Sequence, residues 1–349
     1  MQYQFGARIT MSKSNNKSHG TDLASSTPIA AEHHSVGARQ SRCSVICTTY
    51  NHALYSRSAL ASIADQDWED IEIIIVDDGS TDGNVSIMLE ALLELDRPFT
   101  LFIQENTGNP ALNANRALQA ATGEYCCLMS LDDLLLPGSV SSKLGLMVSD
   151  DALQMVGNET YLKMKATTPS VWTEADNAVK RGRGFNASQM KELEYTEIGT
   201  FLLQGTIIRT DFLKSIGGFD EDITGDDLNL RTKIWTTLQS KNELHFKFLP
   251  MPGFVYRLHE SNINLNSIRQ VRTVLDWRDR YFPDRPLPTL AQEWIQFYIE
   301  RCYSTDQLKE LHKLLNLHDE VRRIHSLFVG GWKNRLRIFW LDIVRPLTK

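Results

Sequence analysis

A chain of 349 residues has room for one large α/β domain with an appended region, or for two small domains. With 42% hydrophobic and 23% charged residues and a formal net charge of -6, the composition fits a globular protein and gives no sign of general nucleic-acid affinity. No segment reaches the ~18 consecutive apolar residues of a membrane span, and the N-terminus lacks a secretory apolar core, so the main body is expected in the cytoplasm.

Residues 1–41 are rich in Ser, Asn, His and Ala without apolar periodicity. Such a segment cannot offset the entropy of ordering and is expected to be disordered. From Cys43 the pattern changes to short apolar runs alternating with helix-length amphipathic segments, the mark of a mostly parallel sheet with crossover helices. The strands expected are CSVICTTY, IEIIIVDDG, FTLFIQ, EYCCLMSLDD and LQMVGNE, with helices near Leu54 to Gln66, Val85 to Leu95, Ala111 to Ala121 and from Pro137. Lys163 to about Ser188 shows no clear period and reads as a long loop. Regular structure then resumes with FLLQGTIIR, a helix near Thr210 to Ile216 and another from Asp226. Residues 265–349 read as helical. Of the five cysteines (Cys43, Cys47, Cys126, Cys127, Cys302), four lie in apolar runs, as buried reduced thiols do.

In an open parallel sheet, ligands bind beyond the carboxyl ends of the strands, so polar residues there carry weight. Asp77 and Asp78 follow IEIIIV and precede a sharp Gly-Ser-Thr-Asp turn, where a carboxylate can accept bonds from a base or ribose; Asp82 reads as a helix cap. Asp132 and Asp133 end the fourth run, and two adjacent carboxylates in so apolar a setting repel unless a cation lies between them, as hard Mg²⁺ or Mn²⁺ would; two solvated loop carboxylates are the alternative. Asp226 and Asp227 open a helix, where capping alone could account for at least one of them.

In this order the pieces resemble the family 2 glycosyltransferases, whose single-domain nucleotide-sugar fold is called GT-A. The resemblance runs from about Cys43 to Asn264, giving an expected 42–264 catalytic domain. It places Thr49, Tyr50 and Asn51 at the turn that meets the nucleotide. VDDGSTD implies that Asp78, beside Asp77, contacts base or ribose. NANRA keeps only Asn115 of the usual Ala-Arg-Asn-x-Gly pattern. SLDD is similar to the D-x-D region, with Ser130 where many members carry Asp, and implies Asp133 as metal ligand and Asp132 at the ribose or metal-bound water. GDD implies Asp227 as catalytic base with Asp226 its neighbour. VYRLHESN resembles a Tyr-Arg-x-His turn that brings His259 to the metal and Arg257 to support the diphosphate.

The resemblance thus implies an inverting, Mn²⁺- or Mg²⁺-dependent transfer of a sugar from a nucleotide-diphosphate donor, by default a UDP-sugar, to an acceptor hydroxyl. A lipid-linked saccharide in surface polysaccharide synthesis is the expected acceptor. A non-catalytic nucleotide-sugar-binding or scaffolding protein on the same fold is the alternative. A sugar-phosphate nucleotidyltransferase would call for a Gly-rich basic loop after the first strand, and TTYNHALYS is not one. The last segment, from Ser326, sets Phe328, Trp332, Phe339 and Trp340 among Lys333, Arg335, Arg337, Arg345 and Lys349, with Asp342 the one carboxylate. Such a helix can lie on the inner face of the cytoplasmic membrane, or can pack as a terminal helix or oligomer contact.

Overall fold

The computed structural model describes residues 8–11, 41–95, 97–166, 172–260, 266–299 and 305–329. Its first half follows the apolar runs. Strands β1 (Arg8–Met11), β2 (Cys43–Thr49), β3 (Ile71–Asp77), β4 (Phe99–Ile103) and β5 (Tyr125–Ser130) lie in the spatial order β1-β4-β3-β2-β5, all parallel except β1. Helices α1 (Ser56–Ala64), α2 (Asn84–Glu94) and α3 (Pro110–Ala120) make the crossovers. The register sets Thr49 beside Asp77, Asp77 beside Ile103, and Thr48 beside Ser130, so the carboxyl ends of the four strands finish level.

The strands are apolar on both faces because both are covered. Ile71, Ile73 and Ile75 pack with Leu60 and Ile63 of α1 and Met88 and Leu92 of α2. Ile74 and Val76, on the opposite face, pack with Ala117 and Leu118 of α3. Each such side chain contributes roughly 1.5–3 kcal/mol by leaving water.

Beyond β5 the chain folds back through β6 (Leu134–Leu135), α4 (Ser139–Val148), β7 (Leu153–Lys165), β8 (Trp172–Asp176), a 3-10 turn (Ala178–Gly182), α5 (Ala187–Glu197), β9 (Ile207–Arg209), α6 (Thr210–Ser215), α7 (Asp226–Ser240) and β10 (His245–Leu258). The sheet continues β5-β9-β7-β10-β6, with β9 antiparallel to both neighbours, β10 parallel to β7, and β6 antiparallel to β10. That last pairing returns the end of β10 to the end of β5. Helices α8 (Ser267–Tyr281), α9 (Thr289–Ile299), α10 (Thr305–Leu317) and α11 (Asp319–Val329) build a third core around Trp277, into which Tyr195 of α5 and Leu228 of α7 also pack.

Three features depart from the sequence reading. β1 lies within the stretch expected to be disordered; its β-branched Ile9 and Thr10 suit an edge strand against β4. The expected loop from Lys163 to about Ser188 instead holds the end of β7, β8 paired antiparallel to it, the 3-10 turn and the start of α5. α5 escaped notice because its inward face carries the charged Glu194 beside Met190 and Tyr195; its start is fixed by a capping box between Asn186 and Gln189. The fifth cysteine, Cys302, and residues 330–349 of the basic-aromatic segment lie outside the described residues.

Candidate active site

The turns after β2 and β3 are sewn together by their own polar side chains. Asn51, in the left-handed region at φ 55°, accepts from the Thr81 amide at 2.8 Å and donates its own amide to Ser80 Oγ at 2.8 Å. Asp77 is wholly buried and accepts from the Ser80 amide, the Ser80 hydroxyl and Asn84 Nδ2. Thr49 accepts from the same Asn84 amide group at 3.0 Å. Asp82 accepts from the Ala53 amide. Tyr50 is exposed, at 45%.

Asp78 reaches across to the loop after β4, where it accepts from Gln104 Nε2 (2.9 Å), the Thr107 amide (2.8 Å) and hydroxyl (2.9 Å), and the Gly108 amide (3.1 Å). Three of these donors converge on Oδ1 and only the Gly108 amide reaches Oδ2, so Oδ2 keeps acceptor capacity for a nucleoside. Gly79 beside it sits at φ +76°, with no room for a Cβ, which would lie 2.6 Å from the Asn106 amide nitrogen. Asn115 is a clasp: its side chain accepts from the Phe219 amide (2.8 Å) and donates to Phe219 O (2.9 Å) and Glu221 Oε1 (2.7 Å), holding the segment ahead of α7 against α3.

At the end of β5 the two adjacent carboxylates part ways. Asp133 is 1% exposed and accepts from the Arg257 backbone amide at 2.8 Å. Burial and the neighbouring Asp132 charge push its carboxyl well above the usual range. Asp132 faces two imidazoles, with Oδ2 3.1 Å from His259 Nε2 and 3.8 Å from His52 Nε2. Burial alone would raise Asp132, but the His259 bond, the His52 charge and a bond from Ser130 outweigh it and bring the carboxyl down to about 2. His52, Asp132 and His259 each offer a ligand atom, all within 4.8 Å of one another. Two buried atoms of this group, His52 Nδ1 and Asp132 Oδ1, have no hydrogen-bond partner in the protein. Burial lowers the His52 pKa, favouring the neutral imidazole that a metal needs. An N₂O donor set with unsatisfied buried atoms fits a divalent cation, and Mn²⁺ better than Mg²⁺ because imidazole is a poor ligand for the harder ion.

Asp133, the expected ligand, is not part of this cluster and accepts instead from the Arg257 backbone amide, while Asp132 and His259 are joined by His52, which sequence reasoning missed. The strand order is what reveals it: β2 and β5 are parallel neighbours, so the loops leaving them, carrying His52 and Asp132, open side by side. Arg257 packs its guanidinium over the Tyr55 ring at 5.4 Å and donates to Tyr55 O and Ser58 Oγ of the α1 region, while Tyr55 in turn lies 4.8 Å from the His259 ring.

Asp226 and Asp227 form the first turn of α7, behind Gly225 at φ 93°. Both remain partly open to solvent. Enclosure by surrounding protein raises Asp227 to about 7, helped by the charges of Asp226 and Glu194 and opposed by Arg231. Asp226 is also raised by its enclosure, with the Arg269 charge pulling the other way. Arg231, one turn along, is locked in a buried pair with Glu194 of α5 at 3.0 Å. The Asp227 charge is felt at Asp133, and the Tyr256 phenol is pushed up first by burial and then by Asp133, Asp132 and Asp227 together. The carboxylates of β5 and α7 thus border one region.

A mixed, mostly parallel α/β sheet with carboxylates and imidazoles gathered beyond its strand ends defines a GT-A, nucleotide-diphospho-sugar transferase type of fold. Residues 44–207 match the family described as Glycosyl transferase family 2. It is 22% identical over 313 residues to the uncharacterized glycosyltransferase YibD of Escherichia coli K12, spanning 84% of this chain and 86% of that protein. An uncharacterized glycosyltransferase of Haemophilus influenzae is 27% identical over 122 residues, 35% of this chain, and the match spans about half of that relative's length, 48%. Among solved structures, the mannosyltransferase PcManGT from Pyrobaculum calidifontis in complex with GDP-Man and Mn²⁺ shares the fold with a TM-score of 0.52 at 17% identity, over 86% of this chain and 83% of that one.

Proposed function

We propose that the chain is an inverting glycosyltransferase that moves a sugar from a nucleoside-diphosphate donor, a UDP-sugar by family default, to an acceptor hydroxyl. What supports this is the charge of Asp227 acting on Asp133 and, together with Asp132 and Asp133, on the Tyr256 phenol, which sets a partly open carboxylate near a cation-competent cluster. Asp227 takes the acceptor proton as that oxygen attacks the anomeric carbon. The bond from that carbon to the phosphate oxygen breaks, and its electrons leave with the nucleoside diphosphate. A base raised to about 7 is matched to this task near neutral pH.

His52, Asp132 and His259 would hold the cation, which when bound would offset the charge gathering on the leaving diphosphate. Arg257 braces this corner through Tyr55, its backbone amide fixing Asp133. Tyr50 offers its exposed ring to the nucleoside at the mouth built by Thr49, Asn51, Asp77 and Asp78, and Asn115 holds the α7 approach in place. The basic-aromatic end of the chain suits a lipid-linked acceptor at an anionic membrane surface.

The test is a panel of nucleotide sugars with Mn²⁺ or Mg²⁺, read as nucleoside diphosphate release. Asp227→Asn is expected to lower turnover ~10²–10⁴-fold while donor affinity stays near wild type. Full residual turnover in Asp227→Asn removes the residue from the base role.

A further inference from the structure

One face of α8 is given over to the segment that carries the Asp226–Asp227 pair. Arg269, Thr273, Asp276, Trp277, Arg280 and Tyr281 recur at helical spacing, and each meets residues 220–232. Arg269 lies 3.7 Å from Asp226 Oδ1. Thr273 Cγ2 would stand 2.4 Å from a Cβ on Gly225, so this position closes only over glycine, which also supplies its φ of +93°. Asp276 accepts from the Thr224 hydroxyl at 3.1 Å, and Trp277 Nε1 donates to Thr232 Oγ1 at 2.8 Å. Arg280 donates to Asp222 at 2.5 Å, and the Tyr281 hydroxyl donates to Asp220.

We propose that α8 is a positioning element of the active site: Arg269 keeps Asp226 as the anion of the adjacent pair and so governs the charge of Asp227, while Asp276 and Thr273 fix the turn that aims both. This rests on Asp227 being the base. The logic is electrostatic. Two carboxylates on one helical turn repel, and a cation beside one of them makes the doubly ionised state cheaper to reach. The other charged groups facing the pair are Arg231 on the same helix, Glu194 from α5 and Asp133 from the β5 end. Arg231 is already committed to Glu194, so among the described residues the cation free to act on Asp226 is Arg269, which α8 brings from the helical region.

Thermal unfolding at pH 5 and pH 8 separates this from mere packing and needs no substrate. A carboxyl raised in the folded state destabilises the fold as pH climbs from its unfolded value of about 4 through its folded value. Without Arg269 that loss grows, so Arg269→Gln is expected to lower Tm by about 2–4 °C more at pH 8 than at pH 5. Arg269→Lys is expected to restore most of the difference. In an Asp226→Asn/Asp227→Asn background the Arg269→Gln loss becomes equal at the two pH values. An equal loss at both pH values in the otherwise wild-type chain overturns the proposal, as does an excess at pH 8 that survives in the doubly substituted background. Turnover by Asp227→Asn judges the base reading separately, so failure of either idea is recognisable on its own.

Discussion

Asp227 is the side chain on which the proposed chemistry turns. Its carboxyl, raised to about 7 by enclosure and then by Asp226, must be ionised to accept a proton. The rate is therefore expected to fall as pH drops through about 7 and to level off above it, with the apparent value belonging to the Asp226–Asp227 pair. A kcat profile flat from pH 5 to 8 contradicts this. The metal corner gives a second prediction. His52→Ala removes one of three ligand atoms and should weaken Mn²⁺ binding by roughly tenfold or more, a loss at least as large as outer-shell changes produce. Asp133→Asn should leave Mn²⁺ affinity close to wild type, since an amide oxygen can still accept from the Arg257 backbone. Calorimetric titration of the metal alone decides it; the reverse order of effects would restore Asp133 as ligand. Asp132 and His259 could be found from sequence because both sit in short motifs. His52 could not be weighed without the strand order, since a single histidine in a turn carries no periodicity.

At the scale of elements, the parallel half was legible because strands buried on both faces are apolar throughout and their helices are not. Helices α1 to α3 begin within a few residues of where periodicity puts them. The later half was less so, and the cause is polar burial. β7 runs outward past Glu159 and Thr160, and α5 turns Glu194 inward to meet Arg231, so neither carries a clean two-fold or helical apolar pattern. Asn115 shows how such buried polar groups join elements far apart in sequence. It spends three hydrogen bonds on residues 219–221, and Gly218 leaves space for it: a Cβ there would fall 2.4 Å from Asn115 Oδ1. Asn115→Ala leaves the Phe219 amide without its acceptor and should cost about 1–3 kcal/mol in urea unfolding. A change within ~0.5 kcal/mol would reduce the clasp to a surface contact.

For the whole molecule, the described helical region and the catalytic half share a core, since Tyr195 and Leu228 pack with Trp277, Val321 and Ile324. The last described member of that core is Ile324 of α11, so removing residues 330–349 takes away none of the described core residues. The removed piece carries Lys333, Arg335, Arg337, Arg345 and Lys349 against Asp342, a side-chain charge of +4 in a chain of -6, so the remainder carries -10. The net charge of the remainder opposes binding to anionic lipid, and this end concentrates the cations that favour it. With ~1 kcal/mol for each cation near the surface and three aromatics (Trp332, Phe339 and Trp340) to enter the headgroup boundary, the intact chain should co-sediment with phosphatidylglycerol vesicles at low salt. It should stay in solution with phosphatidylcholine vesicles, where the electrostatic part is missing. The chain lacking residues 330–349 should lose co-sedimentation with phosphatidylglycerol while keeping its Tm. Unchanged sedimentation of the shortened chain would defeat the membrane reading and leave the segment as an oligomer contact, visible as a smaller particle in analytical ultracentrifugation once it is removed.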